Sequence, residues 1–270
     1  VMYLGLVLAA ALLLTSVMRR VSLRCGWVAL PSADRWHRVP TALHGGVGIF
    51  VPFFVASLTI VLLGWAEEVP EAAAALPIPL PYAFLAGALG MFLFGLLDDI
   101  YRFKPATKFV CQLIAANIFV LAGGVLGVTG FLPLDLLLTY FWFIGITNAL
   151  NMLDNMDGLA SGVAIIALGS TVFLIHVAAG GAQPSIGFFI GLALIAATLG
   201  FWVFNRPPAS IFMGDSGALF LGYVMAALTV PSSLNGFLGV QGLAPGMTLI
   251  VPVTVLAVPI FDTTLVTLTR

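Results

Sequence analysis

Seven aspartates are the side chains of this sequence best suited to metal or phosphate chemistry. They stand in or beside short polar segments that separate long apolar runs: Asp34, Asp98, Asp99, Asp154, Asp157, Asp215 and Asp262. A hard cation such as Mg²⁺ takes one or two carboxylates and completes its shell with phosphate oxygens and water. If these segments meet in space, the aspartates predict a shared cation or phosphate site.

A pair of adjacent acids occurs in the segment GLLDDIYRFKPATKFVCQ. Asp98 and Asp99 stand where a helix is expected to end, and the negative end of a helix disfavours carboxylates unless a cation lies nearby. Neighbouring helical residues point about 100° apart, so we expect the two acids to differ in role. The competing interpretation is a pair of solvated boundary acids that form ion pairs with Arg102 or Lys104.

A second acidic segment reads NALNMLDNMDGLASG. Asp154 and Asp157 are three residues apart and would share one face of a helical turn, with Asn148 and Asn151 repeating that spacing upstream. This pattern predicts a stripe of four oxygen-bearing side chains. Helix capping by Asp157 is the structural alternative, and it accounts for only one of the four.

A third segment, FNRPPASIFMGDSGALFLG, places Asp215 in a turn that opens a helix. Backbone N–H groups and the positive end of a helix favour phosphate at such a position. The alternative is that Asp215 only caps the helix.

Basic residues cluster in the segment PSADRWHRVPTALHGGVG. Its composition is typical of an anion-binding loop, although a cytoplasmic flank would also contain arginines. The cluster consists of Arg35, His37, Arg38 and His44.

The elements that must position these residues are membrane helices. The chain is 61% hydrophobic and only 8% charged, whereas soluble domains carry about 25% charged residues. Backbone groups in lipid must be satisfied within each segment, so we expect an all-α, polytopic transmembrane bundle in a single domain, 1–270. Nine spans are predicted, at about 1–18, 47–66, 82–97, 109–128, 131–150, 159–179, 185–204, 217–230 and 246–261.

The positive charges predict the orientation of this bundle. All ten Lys and Arg residues follow odd-numbered spans, and such residues are retained on the cytoplasmic side. We therefore expect an extracytoplasmic N-terminus and cytoplasmic catalytic loops in the inner (plasma) membrane. Because the chain starts at Val1 and stops at Arg270 directly after a span, we expect a tenth span and an incomplete C-terminus.

Together these segments resemble the polyprenyl-phosphate N-acetylhexosamine-1-phosphate transferases, the family that includes WecA, TagO and MraY. The resemblance covers nearly the whole chain. It rests on Asp34 to Gly46, on Asp98-Asp99 with Lys108 and Gln112, and on the segments NALNMLDNMDGLA, FNRPPASIFMGDSG and VPIFDTTLVTLTR. The form HRVPTALHGG resembles the WecA/TagO branch more than MraY.

The resemblance implies a reaction and its partners. Polyprenyl phosphate, here undecaprenyl phosphate, attacks the sugar-linked phosphate of a UDP-N-acetylhexosamine, releases UMP and leaves a lipid pyrophosphoryl sugar. The implied cofactor is Mg²⁺, with Mn²⁺ as the alternative. The lipid bilayer is a partner and nucleic acid is not, and glycine-rich spans are compatible with a homodimer.

The resemblance also implies roles by position. Asp215 and Asn151 correspond to the Mg²⁺ ligands, and Lys108 to a residue that contacts the pyrophosphate. Asp157 would face the uracil edge, and Phe212 would stack on the uracil. The lipid phosphate and the metal would lie beside Asp98 and Asp99, and the remaining candidates near the reacting groups are Asp154 and Asn205.

The sequence departs from the family pattern at two places. Asn155 replaces a glycine of the usual Asp-Gly-x-Asp-Gly segment, and the family's fifth-loop motif is expected beyond Arg270.

Three alternatives to this function stay open. The donor could instead be UDP-MurNAc-pentapeptide. The other two alternatives are a transporter with acids along its pathway and a noncatalytic scaffold that binds lipid-linked sugars. Transporters need ionisable groups near the bilayer midplane, whereas these charges lie almost entirely at span ends.

Overall fold

The computed structural model describes residues 2–30, 39–64, 78–178 and 186–230, and these residues form helices almost throughout. This confirms the prediction of a helical protein. Within the described ranges the helices are α1 (Met2–Cys25), α2 (Gly46–Gly64), α3 (Leu80–Tyr101), α4 (Pro105–Leu121), α5 (Leu132–Leu153), α6 (Leu159–Ala178), α7 (Ile186–Asn205) and α8 (Gly214–Leu228).

Five of these helices, α1, α2, α3, α5 and α7, are long and apolar enough to cross a membrane. The predicted spans at 109–128, 159–179 and 217–230 correspond to shorter apolar helices or stretches of helix. The predicted run at 246–261 lies outside the described residues. The multi-pass architecture is thus supported, while the count of nine spans, the tenth span and the orientation stay predictions.

Helix α8 is the centre of the bundle. It packs against α2, α3, α5 and α6, and every residue from Ser216 to Leu228 is buried. The helix contains several small residues, Gly217, Ala218, Gly222, Ala226 and Ala227, which let neighbouring helices approach closely and so suit this central position. The N-terminal end of α8 carries Asp215, so whatever surrounds that end defines the environment of this carboxylate.

A short connection holds the end of α3 beside the start of α4. Arg102 follows α3 in the left-handed conformation, with φ 53°, and its N–H donates to the Asp98 carbonyl at 2.8 Å. Pro105 then begins α4, a position where its missing N–H costs nothing. This turn brings Asp98 into contact with Lys108 in the first turn of α4.

A small sheet, absent from the sequence predictions, ties the first loop to the segment before α8. Strand β1 (Val28–Ala29) pairs antiparallel with β2 (Thr41–Ala42). The Phe212 N–H donates to the Ala42 carbonyl at 2.8 Å, and the Gly45 N–H donates to the Phe212 carbonyl at 2.9 Å. The base of the first loop is therefore fixed next to the N-terminus of α8.

Candidate functional site: carboxylates and a lysine at one end of the bundle

Lys108 joins two carboxylates that come from different helices. Its Nζ forms ion pairs with Asp98 Oδ2 of α3 and with Asp215 Oδ2 of α8. The other Asp215 oxygen accepts a hydrogen bond from Asn151 Nδ2 of α5 at 2.7 Å, and Asp98 Oδ1 accepts one from the Phe103 N–H at 2.7 Å. Four helices thus bring these candidate residues into one cluster.

Asp99 contacts different groups from its neighbour Asp98. Its Oδ1 accepts the Asp215 N–H at 2.7 Å and its Oδ2 accepts the Ser216 N–H at 3.1 Å. Asp99 therefore caps α8 from another helix. The interpretation of Asp215 as a local cap is wrong, because the residue at the N-cap position is Met213 and no side chain caps the helix from there.

The predicted single stripe from Asn148 to Asp157 does not form, because α5 ends at Leu153 and a turn follows. Asp154 Oδ2 accepts the Gly214 N–H at 3.2 Å, and Asp157 Oδ2 accepts the Ala209 N–H at 2.9 Å. Both acids therefore contact the segment that leads into α8. Tertiary hydrogen bonds, rather than helical spacing, hold both acids against that segment.

Loss of hydration raises the pKa of the Asp154 carboxyl well above its usual range. The negative charges of Asp215, Asp99 and Asp157 act in the same direction, while the hydrogen bond from Gly214 opposes the rise. A cation nearby would favour the ionised form.

Two candidates, one at the end of α7 and one in the loop after it, differ in their surroundings. Asn205 is buried, and its amide accepts from Ser161 Oγ at 2.8 Å and donates to the Ile211 carbonyl at 3.0 Å. In this structure it holds the loop before α8. Phe212 is partly exposed and lies three residues before Asp215. Neither assignment to substrate is tested by this geometry, and both stay predictions.

The basic first loop is described only in part. Arg35, His37 and Arg38 lie outside the described residues, as do Asp34 and Asp262. His44 is described and is buried, with its Nδ1 3.6 Å from Asp99 Oδ2. It therefore faces an acid of the cluster rather than solvent.

The charge and ligand types of this cluster fit a divalent cation that the substrates help to bind. Among the described residues, no three His, Cys, Asp or Glu side chains form a group that would hold a metal alone. Mg²⁺ needs only one or two carboxylates when phosphate oxygens and water complete its shell. Asp215 and the Asn151 amide supply such hard oxygen ligands, and the neighbouring acids outnumber the ammonium of Lys108.

Sequence reasoning named both residues of a partly buried amide pair beside the cluster, but not the contact between them. Gln112 of α4 and Asn148 of α5 exchange two hydrogen bonds, each of 3.1 Å. Gln112 follows Lys108 by one helical turn, and Asn148 precedes Asn151 by nearly one turn. That spacing, in two apolar helices with few polar residues, was the available signal.

The sequence of this chain is similar to a family of glycosyl transferases. A family model described as "Glycosyl transferase family 4" matches residues 81–233. A Bacillus subtilis protein named "Probable undecaprenyl-phosphate N-acetylglucosaminyl 1-phosphate transferase" is 32% identical over 97% of this chain and 69% of its own length. The "Decaprenyl-phosphate N-acetylglucosaminephosphotransferase" of Mycolicibacterium smegmatis is 31% identical over 95% of this chain and 66% of its own length.

A second group of relatives matches a shorter region. The "Phospho-N-acetylmuramoyl-pentapeptide-transferase" of Streptococcus pneumoniae is 36% identical over 54% of this chain and 51% of its own length. The chain thus spans about half to two thirds of the length of these relatives. Together the matches confirm the family resemblance that the five sequence motifs carry.

Proposed function

The chain belongs to glycosyl transferase family 4, and on that premise we propose that it transfers N-acetylhexosamine 1-phosphate from a UDP-sugar to undecaprenyl phosphate. The expected group is GlcNAc 1-phosphate, and UMP is released. The names of the Bacillus and Mycolicibacterium relatives support this acceptor class and this sugar. The observation that carries the proposal is the cluster of Lys108 with Asp98, Asp215 and Asn151 at one end of the bundle.

The proposed reaction joins two anions. An oxygen of the lipid phosphate forms a bond to the sugar-linked phosphorus, the bond from that phosphorus to the bridging oxygen breaks, and UMP leaves with the electron pair. Catalysis of such transfers consists mainly of positioning and charge stabilisation. The Lys108 ammonium lies between two carboxylates, and it would bind pyrophosphate oxygens when the donor enters.

Asp215 and Asn151 would hold Mg²⁺, with Mn²⁺ as the alternative. The ion would neutralise charge on the transferred phosphoryl group. The hydrogen bond between these two side chains, and the surplus of carboxylates around them, support the assignment.

The remaining candidates divide into a lipid side and a nucleotide side. Asp98 and Asp99 are assigned to the lipid phosphate and its surroundings, because they lie at the end of a helix long enough to cross the membrane. On the nucleotide side, Asp157 would face the uracil edge and Phe212 would stack on the ring, with Asp154 and Asn205 nearby. Arg35, His37 and Arg38 are assigned to the donor phosphates, together with His44 as the sequence predicts.

The protein is a multi-pass membrane protein. We place it in the inner (plasma) membrane with the cluster on the cytoplasmic side, where a UDP-sugar is available, and we keep the homodimer as a proposal based on the glycine-rich spans. Family membership decides against the transporter alternative.

The second candidate donor is UDP-MurNAc-pentapeptide. The 36% identity to the Streptococcus enzyme over 54% of the chain favours it, while the longer matches to the GlcNAc-phosphate transferases favour UDP-GlcNAc.

One assay separates these alternatives. The purified protein is incubated with undecaprenyl phosphate, Mg²⁺ and either UDP-GlcNAc, UDP-GalNAc or UDP-MurNAc-pentapeptide, and released UMP is measured. We expect UMP with UDP-GlcNAc. Release only with the pentapeptide donor would change the assigned sugar, and binding of the substrates without UMP release from any donor would indicate the noncatalytic scaffold.

Asp215 gives a specific test of the metal assignment. Asp215→Ala should abolish turnover while the bundle still folds, because the proposed ion would lose its carboxylate. EDTA should do the same to the unmodified protein, with recovery on adding Mg²⁺ or Mn²⁺. Near-normal UMP release by the folded variant would refute the assignment.

A further inference from the structure

His44 is buried in a backbone conformation that few residues other than glycine adopt. Its φ is 65° and its side chain is only 8% exposed. Histidine tolerates this region better than most residues, but the conformation still has a cost that surrounding contacts must offset. Those contacts are present, since the next two N–H groups, of Gly45 and Gly46, donate to the Phe212 and Met213 carbonyls, both at 2.9 Å.

This backbone directs the imidazole at Asp99. Nδ1 lies 3.6 Å from Asp99 Oδ2 and is buried without a hydrogen-bond partner. The ring is in edge contact with Trp27, with centroids 5.4 Å apart. A shift of about 0.5 Å would bring Nδ1 and Oδ2 within hydrogen-bonding distance.

Asp99 in turn holds the first turn of α8. Its two oxygens accept the N–H groups of Asp215 and Ser216. Gly214, with φ 75°, allows this approach, because a Cβ there would lie 2.7 Å from Asp99 Oδ2. Since both oxygens are committed to backbone donors, the carboxylate has little freedom to move toward a substrate.

We infer that His44 is a positioning residue, which holds the Asp99 carboxylate against the N-terminus of α8 and so fixes Asp215 relative to Lys108 and Asn151. Asp99 is then also a positioning residue, and Asp98 is the member of the pair that stands beside the reacting groups. The inference rests on the proposed transfer reaction and replaces the assignment of His44 to donor binding.

Two substitutions separate the backbone of His44 from its side chain. His44→Gly permits the same φ but removes the ring, whereas His44→Asn tolerates the conformation and keeps a short donor. We expect kcat for UMP release to fall about 10-fold in His44→Gly, with the KM for the UDP-sugar within about 2-fold, because reacting groups shift while donor contacts remain. His44→Asn should recover most of kcat. Full kcat in His44→Gly would overturn the inference.

Hydrogen exchange provides a readout that needs no substrate. The amides of Asp215 and Ser216 should exchange faster in His44→Gly than in the unmodified protein, with His44→Asn in between. His176→Ala, which removes the imidazole of α6 that contacts Phe188, is the control and should leave these amides unchanged. Unchanged exchange in His44→Gly, or faster exchange without loss of kcat, would contradict the positioning role.

Asp99→Asn keeps the exchange test decisive if His44→Gly does not fold. The variant replaces one of the two acceptor oxygens, so one of the two amides should exchange faster. Unchanged exchange would refute the capping step. Absence of UMP release from the unmodified protein would refute the proposed function alone, because the exchange comparison does not depend on activity.

Discussion

Lys108 is partly exposed, whereas the Asp98 side chain that it contacts is almost completely buried, with 1% of its surface accessible. A buried carboxylate that loses the cation paired with it is strongly destabilised, more than the pair itself stabilises the protein. At the level of single residues, Lys108 pairs with both Asp98 and Asp215, and its proposed second role is to offer a positive charge to the donor phosphates.

Replacing this charge tests both functions. Lys108→Met should lower kcat/KM by about 100- to 1000-fold, the usual cost of removing one group that stabilises transition-state charge. Lys104→Met is the matched control, because Lys104 is exposed four residues earlier, at the start of the same helix. It should change UMP release by less than about 3-fold. Equal losses of kcat/KM in the two variants would show that Lys108 contributes only its general positive charge and no specific contact.

At the level of elements, the contact between α3 and α8 sets the position of Asp215. Gly95 of α3 lies against the first turn of α8, where a Cβ would be 2.6 Å from the Ser216 Cα. A Cβ at Gly90 of the same helix would meet, among the described residues outside its own stretch of helix, no atom within 4 Å. The close contact between α3 and α8 therefore requires a glycine at position 95, whereas no such contact requires one at position 90.

Alanine substitution at these two positions should separate them. Gly95→Ala should destabilise the protein by about 1–3 kcal/mol through overpacking and should also reduce UMP release, because α8 must move away from α3. Gly90→Ala should change stability by no more than about 1 kcal/mol. Thermal unfolding in detergent and the UMP assay measure both effects, and a stable, fully active Gly95→Ala variant would show that the contact does not position the site.

The amide pair between α4 and α5 makes a second prediction about elements. Gln112 and Asn148 fix the register of the helices that carry Lys108 and Asn151. Ala substitutions at both positions, singly and together, should give a coupling energy of about 0.6–1.7 kcal/mol in unfolding experiments. Additive effects, with no coupling, would exclude a direct contribution of the pair to stability.

Sequence reasoning located the acids of the cluster well and their partners poorly. Charged residues are rare in so apolar a chain, so Asp98, Asp99 and Asp215 were identifiable from composition and charge topology. Some of their contacts depend on residues more than a hundred positions away, as in the hydrogen bonds from the N-terminus of α8 to Asp99. The stripe from Asn148 to Asp157 failed for a local reason, because α5 ends at Leu153 and the helical spacing stops there.

At the level of the whole molecule, the positive charges and the cluster belong to the same set of loops. The last two turns of α1 contain Arg19, Arg20 and Arg24, close in sequence to the exposed Cys25. The first loop leads from this helix to His44, which lies beside Asp99. The orientation predicted from these charges would expose the site to the cytoplasm.

Cysteine labelling tests this orientation. With Cys111 replaced by Ser, Cys25 should react with a membrane-impermeant maleimide in inverted inner-membrane vesicles and remain unmodified in spheroplasts. A cysteine-free variant carrying Leu132→Cys, at the exposed start of α5, should show the opposite pattern. Labelling of both positions from one side would contradict the predicted topology.

The length of α8 has a consequence for how the two substrates meet. Its 15 residues span about 22 Å, whereas the hydrocarbon core of a bilayer is about 30 Å thick. Because protein encloses α8 on every side, the helix need not reach both surfaces, and Asp215 can lie several ångströms below the interface. A lipid phosphate would then react below its own headgroup layer, and the water-soluble donor would have to descend into the same recess. Bilayer thickness would thereby become a variable that controls the rate of the reaction.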